Sequence, residues 1–82
     1  MSNRVVEQVL DILRQDLHLS VQSAETDLLA TGTLDSLGLV ELLFQLEQRF
    51  GLRVLMDALD IEDVRSATRI AAYVGRLQRG NA

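Results

Sequence analysis

The sequence predicts an all-α fold: a small antiparallel bundle of three long helices and one short helix, with a long loop between the first two helices. Two observations lead there. Three segments repeat apolar residues at three- and four-residue steps, the helical period, and none sustains the alternation of a half-buried strand. The chain is also only 82 residues long, which predicts a single domain over 1–82 with a small core. Residues 1–3 and 79–82 are expected to be frayed tails.

The first helix is expected from Asn3 to Leu17. Val6, Val9, Leu10, Leu13 and Leu17 form its apolar stripe, Glu7, Asp11, Arg14 and Gln15 face away, and Ser2 or Asn3 can cap its start. The second is expected from Ser36 to Phe50, with Leu39, Leu42, Leu43, Leu46 and Phe50 inward. Asp35 stands where an N-cap belongs, and Gly51 is a helix stop. Between Leu52 and Arg65 the pattern is less regular. Arg53, Val54 and Leu55 read as extended, and Asp57 to Val64 as one short helix with Leu59, Ile61 and Val64 partly buried. The last helix is expected from Ala67 to Leu77, capped by Ser66, with Ile70, Ala71, Val74 and Leu77 inward.

The connection from His18 to Asp35 is far longer than the few residues typical of bundle loops. Loops of that length in compact domains are usually functional or disordered. Val21, Leu28, Leu29 and Leu34 suggest that this one packs down, delivering the chain to Thr33-Leu34-Asp35-Ser36-Leu37.

Composition excludes several kinds of chemistry. There is no Cys, hence no disulfide framework, zinc knuckle or thiol nucleophile. The one His, His18, cannot build a metal site by itself. The formal charge of -4 argues against a nucleic-acid partner. No signal-peptide pattern opens the chain, and no apolar run approaches the roughly 20 residues that span a bilayer. A soluble, cytoplasmic, monomeric protein without membrane insertion is expected.

Ser36 sits in the first turn of the second helix, directly after an acid and the long loop. By itself this says only that Ser and Asp favour helix starts. The wider run says more. Asp27-Leu28-Leu29-Ala30-Thr31-Gly32-Thr33-Leu34-Asp35-Ser36-Leu37 leads straight into Val40-Glu41-Leu42-Leu43 and Leu46-Glu47-Gln48-Arg49-Phe50-Gly51. This resembles the carrier-protein family of acyl, aminoacyl and peptidyl carriers bearing a 4′-phosphopantetheine arm. Length, acidity, helix order and the long first loop extend the likeness over nearly the whole chain.

The resemblance implies that a phosphopantetheinyl transferase, using Mg²⁺, moves the arm from coenzyme A to Ser36. The product is a phosphodiester anion at a helix N-terminus, where free N–H groups and the helix dipole favour negative charge. The arm's thiol then holds cargo as a thioester, so Ser36 is a modification site and the chain is no enzyme. By the same resemblance Asp35 helps position the transferase and its metal, a role compatible with capping. Leu37, Val40 and Phe44 become the apolar patch that partners press against, although in a bundle they could equally be the rim of the core. Glu41 and Glu47 would flank the patch for cations on those partners; as surface acids they could also be ordinary solvated charges. Such complementarity sets encounter rate and register more than affinity.

Some positions depart from fatty-acid carriers, which are usually more acidic along this helix. Gly38, Gln48 and Arg49 stand where acids are common, Arg53 adds a cation, and Leu55 replaces a frequent proline. The run from Leu59 to Ser66 and the Leu34-Asp35-Ser36-Leu37 form look closer to discrete D-alanyl-type or specialised acyl carriers. Those are loaded by a separate AMP-forming acyl or aminoacyl ligase and serve downstream acyl-transfer or synthase enzymes. A fatty-acid synthesis carrier is the alternative. Two readings of other classes compete: a helical interaction module without a prosthetic group, and an enzyme pairing Ser36 with His18 as base. The long loop ending in Asp35-Ser36 disfavours the first. The second would need a third group to orient the base, and a pocket that so small a domain hardly offers. Charge is also uneven: residues 1–64 carry a net -8 and residues 65–82, with four Arg and no acid, +4.

Overall fold

The computed structural model describes residues 3–80, and every regular element among them is helical. Helix α1 spans Asn3–Asp11 and continues into a π-helical turn, Ile12–Asp16. Helix α2 spans Ser36–Phe50 and α3 spans Ala67–Gly80. Between them lie two 3₁₀ turns, Met56–Ala58 and Ile61–Val64. Helix α1 packs on α3, the π turn on α2, and the second 3₁₀ turn on α3.

The first helix is not the uninterrupted α-helix expected to Leu17. At its end the Leu17 N–H donates to the Ile12 carbonyl over 2.9 Å, a five-residue step in place of four. Ile12, three residues past Val9, joins Val9 and Leu13 as fully buried, whereas Val6, Leu10 and Leu17 are half-buried. The cap expected on Ser2 or Asn3 falls on side chains outside the described residues.

Helix α2 has the expected bounds. Asp35 caps it, and Gly51, with φ +63, closes it by donating its N–H to the Glu47 carbonyl over 3.0 Å. That left-handed geometry costs glycine almost nothing. Leu42, Leu43 and Leu46 are buried, and Leu39 and Phe50 half-buried.

The short helix expected over 57–64 is instead two separate turns. Asp60 is extended, with φ -91 and ψ 130, and its carboxylate accepts the Glu62 N–H, so it starts a new turn rather than continuing the old one. Val64 is fully buried, but Ile61, expected to be partly inside, stands 51% exposed. Ser66 caps α3 as expected, its hydroxyl accepting the Arg69 N–H over 3.2 Å. The helix runs on past Leu77, because Gln78 and Arg79 are good helix formers and only Gly80 favours a stop. Of the expected tails, Asn3, Arg79 and Gly80 therefore belong to helices, and residues 1, 2, 81 and 82 lie outside those described.

The connection between α1 and α2 packs down. Leu28 is fully buried and Val21 and Leu34 nearly so, in one cluster with Ile12, Leu42, Leu46, Ile70 and Val74. Each such side chain contributes about 1.5–3 kcal/mol through removal from water.

His18 begins that connection with φ +57, a left-handed conformation. The Leu19 N–H donates to the Leu13 carbonyl over 2.9 Å, closing the helix end around it. A side chain there costs about 1 kcal/mol that glycine does not. Since the imidazole is exposed, His18→Gly should raise stability by about 0.5–1 kcal/mol in urea unfolding. A loss of stability would mean that the imidazole makes a contact the fold needs.

Candidate functional site

At the start of α2 the Asp35 backbone is extended, with φ -102 and ψ -172. Its Oδ1 accepts the Gly38 N–H over 2.8 Å, and its carbonyl accepts the Leu39 N–H over 2.8 Å. The first N–H groups of a helix have no acceptor inside it. Asp35 supplies one for Gly38, while those of Ser36 and Leu37 take none from the helix itself. Ser36 is exposed. It thus stands exposed at the positive end of a fifteen-residue helix, a setting that suits an attached phosphate.

Gly38 has a local reason as well. A Cβ built on it would meet Asp35 Oδ1 at 3.2 Å and Leu34 Cδ1 at 3.2 Å. An acid at this position would crowd both the capping carboxylate and a buried anchor of the loop.

The turn ahead of the helix is folded on Asp27. Its Oδ1 accepts the N–H groups of Leu29 and Ala30 over 3.1 and 2.9 Å. The Gly32 N–H donates to the Leu29 carbonyl, and the Leu34 N–H to that of Leu28. Arg65 then binds two carboxylates at once: Nη1 reaches both oxygens of Asp27, at 3.1 and 3.0 Å, and Nε and Nη2 each reach one oxygen of Glu62 at 2.8 Å. Hydrogen bonds from the Ala30 N–H and from Arg65 hold the Asp27 carboxyl below the usual carboxylate range, against some opposition from burial. Glu62 is likewise lowered, chiefly by the Arg65 hydrogen bonds.

Leu37, Val40 and Phe44 are 83%, 59% and 52% exposed. They are not the rim of the core; at steps of three and four they form an apolar stripe along α2. Glu41 is exposed and accepts from Gln45 Nε2 over 3.3 Å. Glu47 is half-buried, and its Oε2 accepts the Val54 N–H over 2.9 Å, tying the irregular 52–55 segment to the helix. Two open grooves flank α2. One of about 270 Å³ is lined by Val40, Leu43, Phe44, Glu47 and Val54. The other, about 280 Å³, lies beside Ser36 and is lined by Leu29, Leu34, Asp35, Ser36, Leu39 and Ile61.

The second groove and the Asp27–Arg65–Glu62 cluster do not emerge from sequence reasoning. Asp27 opening an Asp-Leu-Leu-Ala turn is a local signal for side-chain capping, but nothing local points to a partner 38 residues away. Of the four arginines at the C-terminal end, Arg65 is bound to acids, and Arg76 pairs with Asp63 at 2.8 Å while lying 5.6 Å from the centre of the Tyr73 ring. Burial pushes the Tyr73 hydroxyl up from its ordinary pKa.

Residues 7–74 match the family described as phosphopantetheine attachment site. The chain is similar to the D-alanyl carrier protein of Streptococcus suis (strain 98HAH33), 36% identical over 74 residues, which are 89% of this chain and 94% of that protein. It is similar also to the D-alanyl carrier proteins of Streptococcus sanguinis (strain SK36) and Streptococcus gordonii (strain Challis), each 32% identical over 74 residues and 90% of both chains.

Asp35→Ala should cost about 1 kcal/mol in chemical unfolding through loss of the cap, whereas Asp35→Asn, which can still accept the Gly38 N–H, should cost only a few tenths. Equal losses would argue that the cap bond adds nothing. The Asp27 and Glu62 carboxyls titrate lower folded than unfolded, so their stabilisation is complete above the ordinary carboxylate range and fades as pH falls below it toward the lower folded values. The difference in melting temperature between the protein and Arg65→Met should be full at pH 7 and shrink below about pH 4. A difference constant down to pH 3 would contradict that origin.

Proposed function

The chain belongs to the phosphopantetheine attachment-site family, and from that premise we propose that it is a discrete aminoacyl carrier of the D-alanyl type, bearing its arm on Ser36. As a member it is a carrier with a covalently attached 4′-phosphopantetheine, and it is not an enzyme. The attached arm supplies a thiol on which cargo is held as a thioester. Ser36 itself supplies the ester oxygen at a helix N-terminus whose N–H groups and dipole stabilise the phosphodiester anion.

The observation that carries the choice of Ser36 is its exposure in the first turn of α2, immediately after the capping Asp35. Asp35 holds that turn in shape through the Gly38 N–H and keeps its other carboxylate oxygen available to the transferase and its metal. Leu37, Val40 and Phe44 form the surface on which the transferase, an AMP-forming ligase and downstream acyl-transfer enzymes dock. Glu41 contributes charge at its edge. Glu47 contributes less, since one of its oxygens already accepts the Val54 N–H.

The aminoacyl assignment follows the names of the relatives, nine-tenths or more of whose length the match covers. A fatty-acid carrier is the second reading. It draws less support, because Gly38, Gln48 and Arg49 stand where such carriers are usually acidic, and Gly38 is hemmed in by Asp35 and Leu34. We read the helices as the small antiparallel bundle of one carrier domain. Since coenzyme A donates the arm, the cytoplasm is the compartment of the reaction. Among the described residues no helix is long and apolar enough to cross a membrane.

The test is intact mass after incubation with coenzyme A, Mg²⁺ and a broad-specificity phosphopantetheinyl transferase. One phosphopantetheinyl group should be gained, and Ser36→Ala should gain none. No gain by the parent, or a gain that survives the substitution, would refute the site. Loading of the modified protein by a D-alanine-activating ligase with ATP, against an acyl-activating ligase with a long-chain fatty acid, separates the two cargo readings.

A further inference from the structure

We propose that Arg65 is a positioning residue for Ser36, holding in register the two walls of the groove beside it; this rests on the arm being attached at Ser36. One wall of that groove is Leu29 and Leu34 from the end of the long loop, and the other is Ile61 from the second 3₁₀ turn. The first wall is built on Asp27, whose carboxylate organises the turn through the Leu29 and Ala30 N–H groups. The second turn includes Glu62. Arg65 binds both carboxylates through three of its nitrogens, and its own carbonyl accepts the Leu28 N–H over 2.7 Å. Among the described residues no other side chain hydrogen-bonds to both walls.

A guanidinium is planar, so two carboxylates bound to different edges are fixed in angle as well as distance; a lysine ammonium could not do this. The chain leaves the gripped turn at Leu34 and enters α2 at Asp35-Ser36. A shift of the turn relative to Ile61 therefore changes both the entry of the chain into the helix and the width of the groove that an arm on Ser36 must leave through. The walls do not depend on Arg65 to stay attached to the body. Leu28, Leu34 and Val64 are buried in the core cluster and hold them there. What Arg65 adds is their mutual alignment.

Alignment and mere folding leave different kinetic signatures. A partly unfolded acceptor lowers the effective concentration of carrier, which raises apparent KM and leaves kcat alone. A folded acceptor with a misplaced nucleophile keeps its docking stripe, Leu37, Val40 and Phe44, and loses kcat. Steady-state transfer from saturating coenzyme A should show kcat for Arg65→Met reduced about tenfold, with KM for the carrier within about twofold of the parent. Arg65→Lys, which keeps the charge without the fork, should recover only part of that loss. A folded Arg65→Met, judged by far-UV circular dichroism, that keeps kcat within about twofold overturns the proposal, as does a rise confined to KM. Should Arg65→Met fail to fold, Asp27→Asn and Glu62→Gln, which each release one wall, decide the matter by the same criterion. A parent that accepts no phosphopantetheine refutes the attachment reading instead; a modified parent with an indifferent Arg65 refutes only this inference.

Discussion

The burial of Leu28 is the constraint on which the working end of this molecule depends. The segment from His18 to Asp35 has no helix or strand to satisfy its backbone, yet it must deliver Ser36 to the start of α2 in one orientation. Leu28, fully enclosed, and Leu34, nearly so, fix its last stretch to the same cluster that joins all three long helices. Once those two side chains are inside, the turn between them is short enough for a single carboxylate, that of Asp27, to organise. Farther back, Arg14 Nε donates to the Val21 carbonyl, and the Thr68 N–H donates to that of Ala24. The loop is long but is tied down at intervals by side chains and core contacts.

Polar groups around the site are arranged so that few serve one purpose alone. Asp35 caps a helix and precedes the exposed Ser36. Glu47 lies on α2 beside the apolar stripe while holding the 52–55 segment through Val54. Arg65 is the central case, since its guanidinium and its carbonyl both act on the loop. The positive charge of the C-terminal stretch is accordingly less available than its count suggests: Arg65 and Arg76 are engaged with Asp27, Glu62 and Asp63. The polarity between an acidic body and a basic last helix is thus internally compensated in part.

How much was legible in the sequence follows from which signals are local. Helix α2 could be bounded at both ends because an N-cap and a C-terminal glycine are residue-type signals. The π turn at Ile12–Asp16 has no such signature; it is a one-residue slip in hydrogen bonding within an ordinary amphipathic run. The split of the expected short helix turned on Asp60, which reads equally as a helix residue or as a cap. Ser36 was singled out by its motif. Whether Leu37, Val40 and Phe44 face solvent was not legible, because their stripe adjoins the core stripe of the same helix and periodicity alone cannot say where the neighbouring elements end. The joining of Asp27 to Arg65 was invisible for a plainer reason: it is created by the fold.

The uncovered stripe on α2 also bears on how the protein behaves when concentrated. Three large apolar side chains in solvent are tolerated while like charge keeps molecules apart, and at neutral pH the net charge of -4 does so. The isoelectric point is about 4.7, so mild acidification removes that repulsion before it titrates the carboxylates that brace the loop. Colloidal failure is therefore expected before unfolding on the acid side: the molecules should associate through these apolar stripes while each is still folded, and returning the buffer to neutrality should redisperse them.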